Sequence, residues 1–406
     1  MDLILKNEGN TRIFTVTDED RVLGYVAIDS TVGGRSCGGL RMLPDVDEKE
    51  IRALARSMTL KYGFLGLPQG GAKAGVIGNP EAPRAERLKR LVEFGHAIKP
   101  LLSTKTFIPT SDMGTDSSDI RHMLNEVGIR VASKDLRNNS SGYYTALSVL
   151  AGVKQSAQHL GLNPSNCTAA IEGFGNVGRP LASLLAREGV KIVAISTSQG
   201  GLYNPKGLEV DRLIRLADEA GSRVVEVYRE AEFINCQALL ELPVDILCPC
   251  ARWNSVHPGN VNRILARIIS PGANDPITPD AERALFERGA LCLPDFVTNC
   301  GGVLGGTMEF ASVSREKIKT FIESQIGDRI ADLLKETKAK GVLPREVAVP
   351  LALHRFRQIQ QSATHPTLFQ RLFEVGLEFY RRGYIPGLLV GLLSLGYFER
   401  TLAFRR

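Results

Sequence analysis

The sequence predicts a two-domain α/β protein, and three observations carry that expectation. The chain has 406 residues, and single cores stop growing beyond about 250–300 residues, so two domains are expected. From residue 167 onward short apolar runs alternate with helical stretches, the pattern of βαβ units around a parallel sheet. Within that region Gly173-Phe174-Gly175-Asn176-Val177-Gly178 stands between an apolar run and a helix, which is where a doubly wound, Rossmann-type domain keeps its dinucleotide turn.

The elements follow in order. Arg12–Thr17 and Val22–Ser30 read as strands from their β-branched content. Asp47, with Glu50 three residues on, reads as a capping box for a helix that carries Ile51, Leu54 and Met58 on one face and runs to Lys61. Leu88, Leu91, Val92 and Gly95 mark a second helix. Ile120, Met123, Leu124 and Val127 mark a third, after Ser117 and Ser118 as cap signals. The polar stretch Ser133–Ser141 reads as a linker, and a helix follows with Ala146 onward apolar at helical spacing. Strands are expected at Thr168–Ile171, Lys191–Ser196, Arg223–Val227, Val244–Cys248, Arg267–Ser270 and Leu291–Leu293. The expected division is 1–140 for the first domain and 141–340 for the Rossmann domain. Helices in 341–406 are expected to pack back on the first domain.

Composition excludes several classes. Hydrophobic residues make up 43% and charged residues 23%, which suits a globular core. The net charge of +6 is spread thinly, with no long run of like charges, so nucleic acid is not expected. Met1–Asn10 lacks the apolar stretch of a signal peptide, and a cytoplasmic location is expected. Seven cysteines without regular spacing read as reduced thiols; Cys248 and Cys250 enclose only Pro249, which is not zinc spacing, and no metal is expected. The six histidines show no paired ligand spacing, and His257 and Trp253 read as structural. Ile385–Phe398 is almost wholly apolar but too short for a membrane span of about 20 residues. A buried helix or a subunit contact is expected there, not membrane.

In the glycine motif, Gly173 permits a tight turn, Gly175 admits a pyrophosphate to the helix N-terminus, and Gly178 allows close packing. The next strand ends in Ser196-Thr197 where an acidic residue would bind ribose hydroxyls. No carboxylate repels a 2′-phosphate, so NAD and NADP are both open.

Three segments of the first domain point to chemistry: Gly34-Arg35-Ser36-Cys37-Gly38-Gly39-Leu40-Arg41; Lys61 with Pro68-Gln69-Gly70-Gly71-Ala72-Lys73-Ala74-Gly75; and Pro109-Thr110-Ser111-Asp112-Met113-Gly114. Each reads as a loop whose glycines let backbone crowd a ligand, and together they supply two lysines and a carboxylate. With Gly173–Gly178, Gly272-Ala273-Asn274 and Pro294–Val303 in the same order, the chain resembles the glutamate/leucine/phenylalanine/valine dehydrogenase family over about residues 20–310.

The resemblance implies an N-terminal substrate and oligomerisation domain, a nicotinamide cofactor, and a homo-oligomer. It implies Lys73 as catalytic lysine, Asp112 as catalytic aspartate, and Lys61 as the group holding the substrate α-carboxylate. It places Thr145 at the nicotinamide amide and Asn274 near the nicotinamide ribose, and it implies Asn299 as a further cofactor-binding residue. The implied reaction oxidises an L-α-amino acid to its imine with NAD or NADP. Water activated by Lys73 then releases ammonia and a 2-oxo acid, with Asp112 handling protons and a closing cleft excluding solvent. A lysine near another cation and partly desolvated has the lowered pKa this needs.

Glutamate-specific members carry a lysine where this chain has Cys37, and a serine three residues after the Gly-Gly-Val valine, where it has Gly306. Neither residue here can hold a side-chain carboxylate. Cys37, Gly38, Gly39, Thr110, Val303 and Gly306 are therefore expected to form a pocket for an apolar or aromatic side chain. Departures from the family pattern occur at Thr110-Ser111, Ser270-Pro271 and Asn138–Tyr144. Two alternatives stay open: a divergent glutamate dehydrogenase, and a non-catalytic nucleotide-binding paralogue.

Overall fold

The structure, a computed structural model, describes residues 1–131, 140–365 and 368–402; the expected linker at 133–141 lies largely outside them. The chain divides into two compact units. One comprises Met1–Asn139, Phe310–Val313 and Leu351–Arg406, and the other Ser140–Glu309 and Ser314–Pro350.

The first unit is built on a six-stranded sheet. Its strands are β1 (Asp2–Glu8), β2 (Thr11–Asp18), β3 (Arg21–Ile28), β4 (Ser36–Leu43), β5 (Gly70–Ile77) and β6 (Ile108–Ser111), in the order β1-β2-β3-β5-β4-β6. β1, β2 and β3 run antiparallel, whereas β4 is parallel to both β5 and β6. Phe14, Val26, Leu40 and Val76 of the sheet pack with Phe94, Met123 and Phe107 to form the core. On the opposite face Ile51 and Ala55 of the helix Glu48–Leu65 meet Ile13, Ala27 and Val46.

Several expectations change here. Residues 36–41 and 70–75 are strands rather than ligand loops, and Gly38 and Gly71 serve the sheet and its helix. A Cβ on Gly38 would sit 1.6 Å from the Ala72 carbonyl oxygen, and one on Gly71 would sit 2.3 Å from Thr59 backbone nitrogen. At the helix Glu48–Leu65, Asp47 accepts from the Glu50 backbone N–H as expected, but the Glu50 carboxylate turns away to Arg41, so the box is half made. The helix Ser117–Glu126 is capped by Asp116, not by the serines. Asp116 and Asp119 form a reciprocal box, because a carboxylate accepts both orphan N–H groups.

The second unit carries a seven-stranded sheet. Its strands are β7 (Thr168–Glu172), β8 (Lys191–Thr197), β9 (Gly200–Tyr203), β10 (Glu232–Ile234), β11 (Ile246–Pro249), β12 (Ile268–Ile269) and β13 (Leu291–Cys292), in the order β10-β9-β8-β7-β11-β12-β13. β8, β7, β11, β12 and β13 are parallel, and the order reverses between β7 and β11. Ligands of such sheets bind outside the strand C-termini at that switch point.

The expected strand at Arg223–Val227 is instead a helical turn, Val224–Val227. Val224 and Val225 are its buried residues and Val227 is exposed. The edge it would have occupied is taken by β9 and β10, short antiparallel strands that escape a periodicity reading.

At the C-terminus, the helix Gly387–Leu402 is not buried along its length. Leu388, Leu392 and Leu393 are exposed, while Phe398 and Leu402 are buried. Among the described residues no helix is long and apolar enough to cross a membrane.

Candidate active site

In the first unit, four charged side chains meet at the end of the parallel strands. β4 lies between β5 and β6, so Leu40 pairs with Ala74 on one side and Ser111 on the other. That register brings Arg41 of β4, Lys73 of β5 and Asp112, one residue past β6, together. Lys73 Nζ stands 2.5 Å from Asp112 Oδ2, and Arg41 Nε donates to the same oxygen at 3.0 Å. A second guanidinium nitrogen of Arg41 donates to Glu50. The Asp112 backbone N–H donates to Thr115 Oγ1 at 3.1 Å, and that hydroxyl donates to the Leu40 carbonyl at 2.7 Å, which fixes the turn after β6. Gly39 leaves the room: a Cβ there would lie 2.8 Å from Asp112 Cβ and 3.1 Å from Lys73 Nζ.

Two cations and two anions compensate each other, which buried charges require. Lys73, Arg41 and Glu50 are buried, and the Asp112 side chain, 16% exposed, is the most open of the four. Burial lowers the Lys73 pKa; Asp112 opposes that shift, and the Arg41 charge adds to it. The cation placed against Lys73 is thus Arg41, whose role the sequence reading missed. For Asp112, burial works to raise the pKa, but Arg41 and then Lys73 overturn it and hold the carboxyl well below the usual range. Burial and the Asp47 and Asp45 charges keep Glu50 above the ordinary carboxyl value, although Arg41 opposes them.

Lys61 is buried in the helix Glu48–Leu65. Cys37 follows the first residue of β4 and hydrogen-bonds with Tyr62 and Gln69; burial pushes its thiol up despite those bonds. Tyr62 is pushed well above the ordinary phenol value, by burial first and then by Cys37. This wall is uncharged at neutral pH. Gln69 lies within a quoted motif and Tyr62 adjoins one, yet only the tertiary fold shows that they flank Cys37. Thr110 pairs with Gly39 across β4 and β6 and is exposed.

In the second unit, β7 ends at Glu172 and the glycine-rich turn leads into the helix Gly178–Arg187. Gly173 holds φ at +93°, a conformation that excludes most side chains. Gly178 must lack a Cβ, which would lie 1.9 Å from the Gly173 carbonyl oxygen. A Cβ on Gly175 would meet nothing within 4 Å, so that backbone is bare for a ligand rather than for protein packing. The N–H groups of Gly173 and Phe174 donate to Ser196 Oγ (3.1 Å) and Ser196 O (2.6 Å), which ties the turn to β8. Ser196 is buried. The Thr197 hydroxyl donates to the Ser222 carbonyl at 2.7 Å and accepts from the Gln199 N–H at 3.2 Å. Both hydroxyls serve the fold, and neither favours NADP over NAD.

Gly272 lies against Val177 of the glycine turn and against Cys250. Asn299 Nδ2 donates to the Ala273 carbonyl at 2.8 Å and to Asn274 Oδ1 at 3.0 Å, while its own Oδ1 is buried with no hydrogen-bond partner. Thr145 is buried and donates to the Ser141 carbonyl at 2.8 Å; a Cβ on Gly302 would lie 2.4 Å from its hydroxyl. Val303 and Gly306 are half-buried on the helix Gly301–Phe310. Glu172, behind the turn, has its pKa raised to about 7 by burial, although Ser255 donates to it at 3.0 Å. Trp253 donates from Nε1 to Asp275 Oδ2 at 3.3 Å, and His257 Nδ1 accepts the Gly259 N–H at 3.1 Å, both structural roles. The bare Gly175 backbone at a helix N-terminus and the orphaned Asn299 oxygen fit a dinucleotide at this switch point.

Comparison with known proteins identifies the family. Residues 139–363 match the family described as Glutamate/Leucine/Phenylalanine/Valine dehydrogenase, and residues 10–128 match the Glu/Leu/Phe/Val dehydrogenase dimerisation domain. A glutamate dehydrogenase of Thermotoga maritima is 33% identical over 372 residues, 86% of each chain. An NAD-specific glutamate dehydrogenase of Staphylococcus aureus is 33% identical over 341 residues, 81% of this chain and 79% of that one. Among solved structures, hetero-hexameric glutamate dehydrogenase from Thermus thermophilus, in a Leu-bound form, shares the fold with a TM-score of 0.73 at 23% identity, covering 87% of this chain and 89% of that one. L-tryptophan dehydrogenase from Nostoc punctiforme aligns with a TM-score of 0.57 at 24% identity, covering 86% and 96%.

Proposed function

The chain belongs to the glutamate/leucine/phenylalanine/valine dehydrogenase family, and on that premise we propose that it deaminates an L-α-amino acid with an uncharged, apolar or aromatic side chain. It is an NAD(P)-dependent amino-acid dehydrogenase by family. The overall reaction consumes the amino acid, oxidised cofactor and water; it yields the 2-oxo acid, ammonium, reduced cofactor and one proton.

The observation that carries the chemistry is the pairing of buried Lys73 with half-buried Asp112. When bound, the nicotinamide cofactor supplies the two-electron oxidation, held by the Gly173–Gly178 turn and by Thr145, Asn274 and Asn299. Everything else is work for this chain's side chains. Lys61 holds the α-carboxylate as a point charge. Lys73, once deprotonated, takes a proton from water as that water adds to the substrate imine carbon. Burial and Arg41 weaken the hold of Lys73 on its own proton, so the free amine is reached at lower pH than an ordinary lysine allows. Asp112 remains ionised beside Lys73 and Arg41. It orients the amine and steers a proton to the departing nitrogen as the carbinolamine collapses.

The uncharged wall of Cys37, Tyr62 and Gln69 supports the choice of side chain. Burying an unpaired carboxylate against it would cost several kcal/mol, on the order of what rejects a substrate. A second reading, a divergent glutamate dehydrogenase, is favoured by the names of the relatives at 33% identity, and it requires a cation that reaches the pocket. The match to a dimerisation domain supports a homo-oligomer, and we place the enzyme in the cytoplasm.

The test is a panel of L-amino acids with NAD and NADP offered separately, read as reduced-cofactor absorbance. Turnover of leucine, valine, phenylalanine or tryptophan without glutamate is expected. Turnover of glutamate alone would establish the second reading.

A further inference from the structure

A second charged cluster lies apart from Lys73, in the second unit. Arg345, on the helix Pro344–Thr364, donates from Nε to Glu282 Oε2 at 2.6 Å and from Nη2 to Asp295 Oδ1 at 3.0 Å. Its guanidinium carbon also stands 5.9 Å from the centre of the Phe296 ring. Glu282 and Asp295 are each 1% exposed, and Asp275 is close enough for its charge to act on Arg345 as well. One guanidinium thus faces three carboxylates, an arrangement that needs the cation if the acids are to stay ionised.

The cluster leads directly to the cofactor turn. The other oxygen of Asp295, Oδ2, accepts the backbone N–H of Asp275 at 3.0 Å. Asn299, one helical turn on, donates its backbone N–H to the Asp295 carbonyl at 2.8 Å while its side chain grips Ala273 O and Asn274 Oδ1. A single short helical segment therefore clamps three consecutive residues, Ala273, Asn274 and Asp275. Asp275 holds φ at +49°, a left-handed conformation uncommon outside glycine, though aspartate adopts it more readily than most residues. Trp253 Nε1 restrains the Asp275 side chain, and the Asn254 backbone N–H donates to the Asp275 carbonyl at 3.2 Å.

We propose that Arg345 is a positioning residue for the nicotinamide half of the cofactor: by fixing Asp295 it holds the 273–275 turn that presents Asn274. The inference rests on the cofactor reading given above and not on the choice of amino acid. Asp295 has one oxygen for Arg345 and one for the turn. Without Arg345, Asp295 loses its countercharge and faces Glu282 and Asp275 alone, and the turn relaxes from its left-handed conformation. The glycine-rich turn at 173–178 makes no use of this cluster in its own hydrogen bonds, so the adenosine and pyrophosphate half keeps its site.

The test is equilibrium binding to the full-length protein without amino acid. Reduced cofactor is compared with ADP, or with 2′,5′-ADP if NADP is the cofactor; neither fragment carries the nicotinamide ribose. Arg345→Gln is expected to weaken reduced-cofactor binding about tenfold, the scale of a lost hydrogen bond to a charged group, and to leave the fragment within about twofold of wild type. Arg345→Lys is expected to recover part of the loss. Should Arg345→Gln fail to fold, Trp253→Phe removes one hydrogen bond from the Asp275 side chain and leaves the Arg345 bonds to Glu282 and Asp295 in place, and the same split is expected at about threefold. Equal weakening of both ligands, or of neither, overturns the proposal. A wild-type protein that binds the fragment and the reduced cofactor alike, with no gain from the nicotinamide half, overturns the placement of Asn274 and the proposal with it.

Discussion

The two candidate sites, one in each unit, use opposite materials. On the substrate side, the groups that do chemistry are side chains, and four of them are charged: Arg41, Glu50 and Lys73 are buried and Asp112 is half-buried. On the cofactor side, the turn at 173–178 offers backbone, and its key property is side chains it lacks. The difference follows from the ligands. A base needs a tuned pKa, which takes neighbouring charges and burial. A pyrophosphate needs close N–H groups at a helix N-terminus, and any Cβ is in the way. Changes to a side chain should therefore act on rate on one side, and changes to a methyl group on affinity on the other.

The largest expected effect breaks the substrate side alone. Lys73→Ala removes the proposed base, and kcat is expected to fall on the order of a thousandfold, within the range for general-base loss. Binding of reduced cofactor, measured by titration without substrate, is expected to stay within about twofold, because no cofactor group is touched. A small loss of kcat would mean that another group activates water. The variant also leaves Asp112 and Glu50 facing only Arg41, so the Asp112 pKa is expected to rise toward the ordinary value.

A smaller effect tests whether the cluster acts as a unit. Arg41→Gln is expected to lower kcat at neutral pH by about ten- to a hundredfold. The sign of the pH shift decides the mechanism. In the native protein burial and the Arg41 charge both lower the Lys73 pKa, while Asp112 and Glu50 raise it. Deleting Arg41 removes one lowering cause and leaves both raising causes, so Lys73 holds its proton to higher pH. The rising limb of log kcat against pH is then expected to move in the alkaline direction, and activity should partly recover there. A limb that stays in place would mean that Lys73 is not the group being titrated.

The same contrast explains what could be read from the sequence. The cofactor turn was legible because its signal is local. Gly173, Gly175 and Gly178 stand at fixed offsets between a strand and a helix, and backbone geometry alone sets that spacing. On the substrate side, local signals pointed to Lys73 and Asp112 only through resemblance, and they hid the rest. Arg41 and Glu50 are nine residues apart and meet because a strand and a capped helix converge. Arg41 and Asp112 are 71 apart and meet because β4 and β6 pair in parallel. The glycines of β4 and β5 made strands look like loops, since a glycine needed for sheet packing and one needed for a ligand look alike in sequence. Tyr62 and Gln69 beside Cys37, and Arg345 beside Asp295, are likewise products of tertiary convergence.

The smallest expected effect sharpens the cofactor side, where two glycines of one motif should fail in different ways. The Cβ of Gly178→Ala would lie 1.9 Å from the Gly173 carbonyl oxygen and 3.3 Å from Ile171 Cγ2, so the turn itself must shift. That variant is expected to lose thermal stability, and cofactor affinity as a consequence. The Cβ of Gly175→Ala meets nothing within 4 Å, so its melting temperature is expected to stay at the wild-type value. Its methyl group would project where the pyrophosphate approaches, and affinity for reduced cofactor and for ADP is expected to fall about tenfold together. That joint loss is the reverse of the split expected for Arg345→Gln. If Gly175→Ala instead binds both ligands normally, the pyrophosphate does not approach the second glycine, and the turn at 173–178 is a structural bend rather than the floor of the cofactor site.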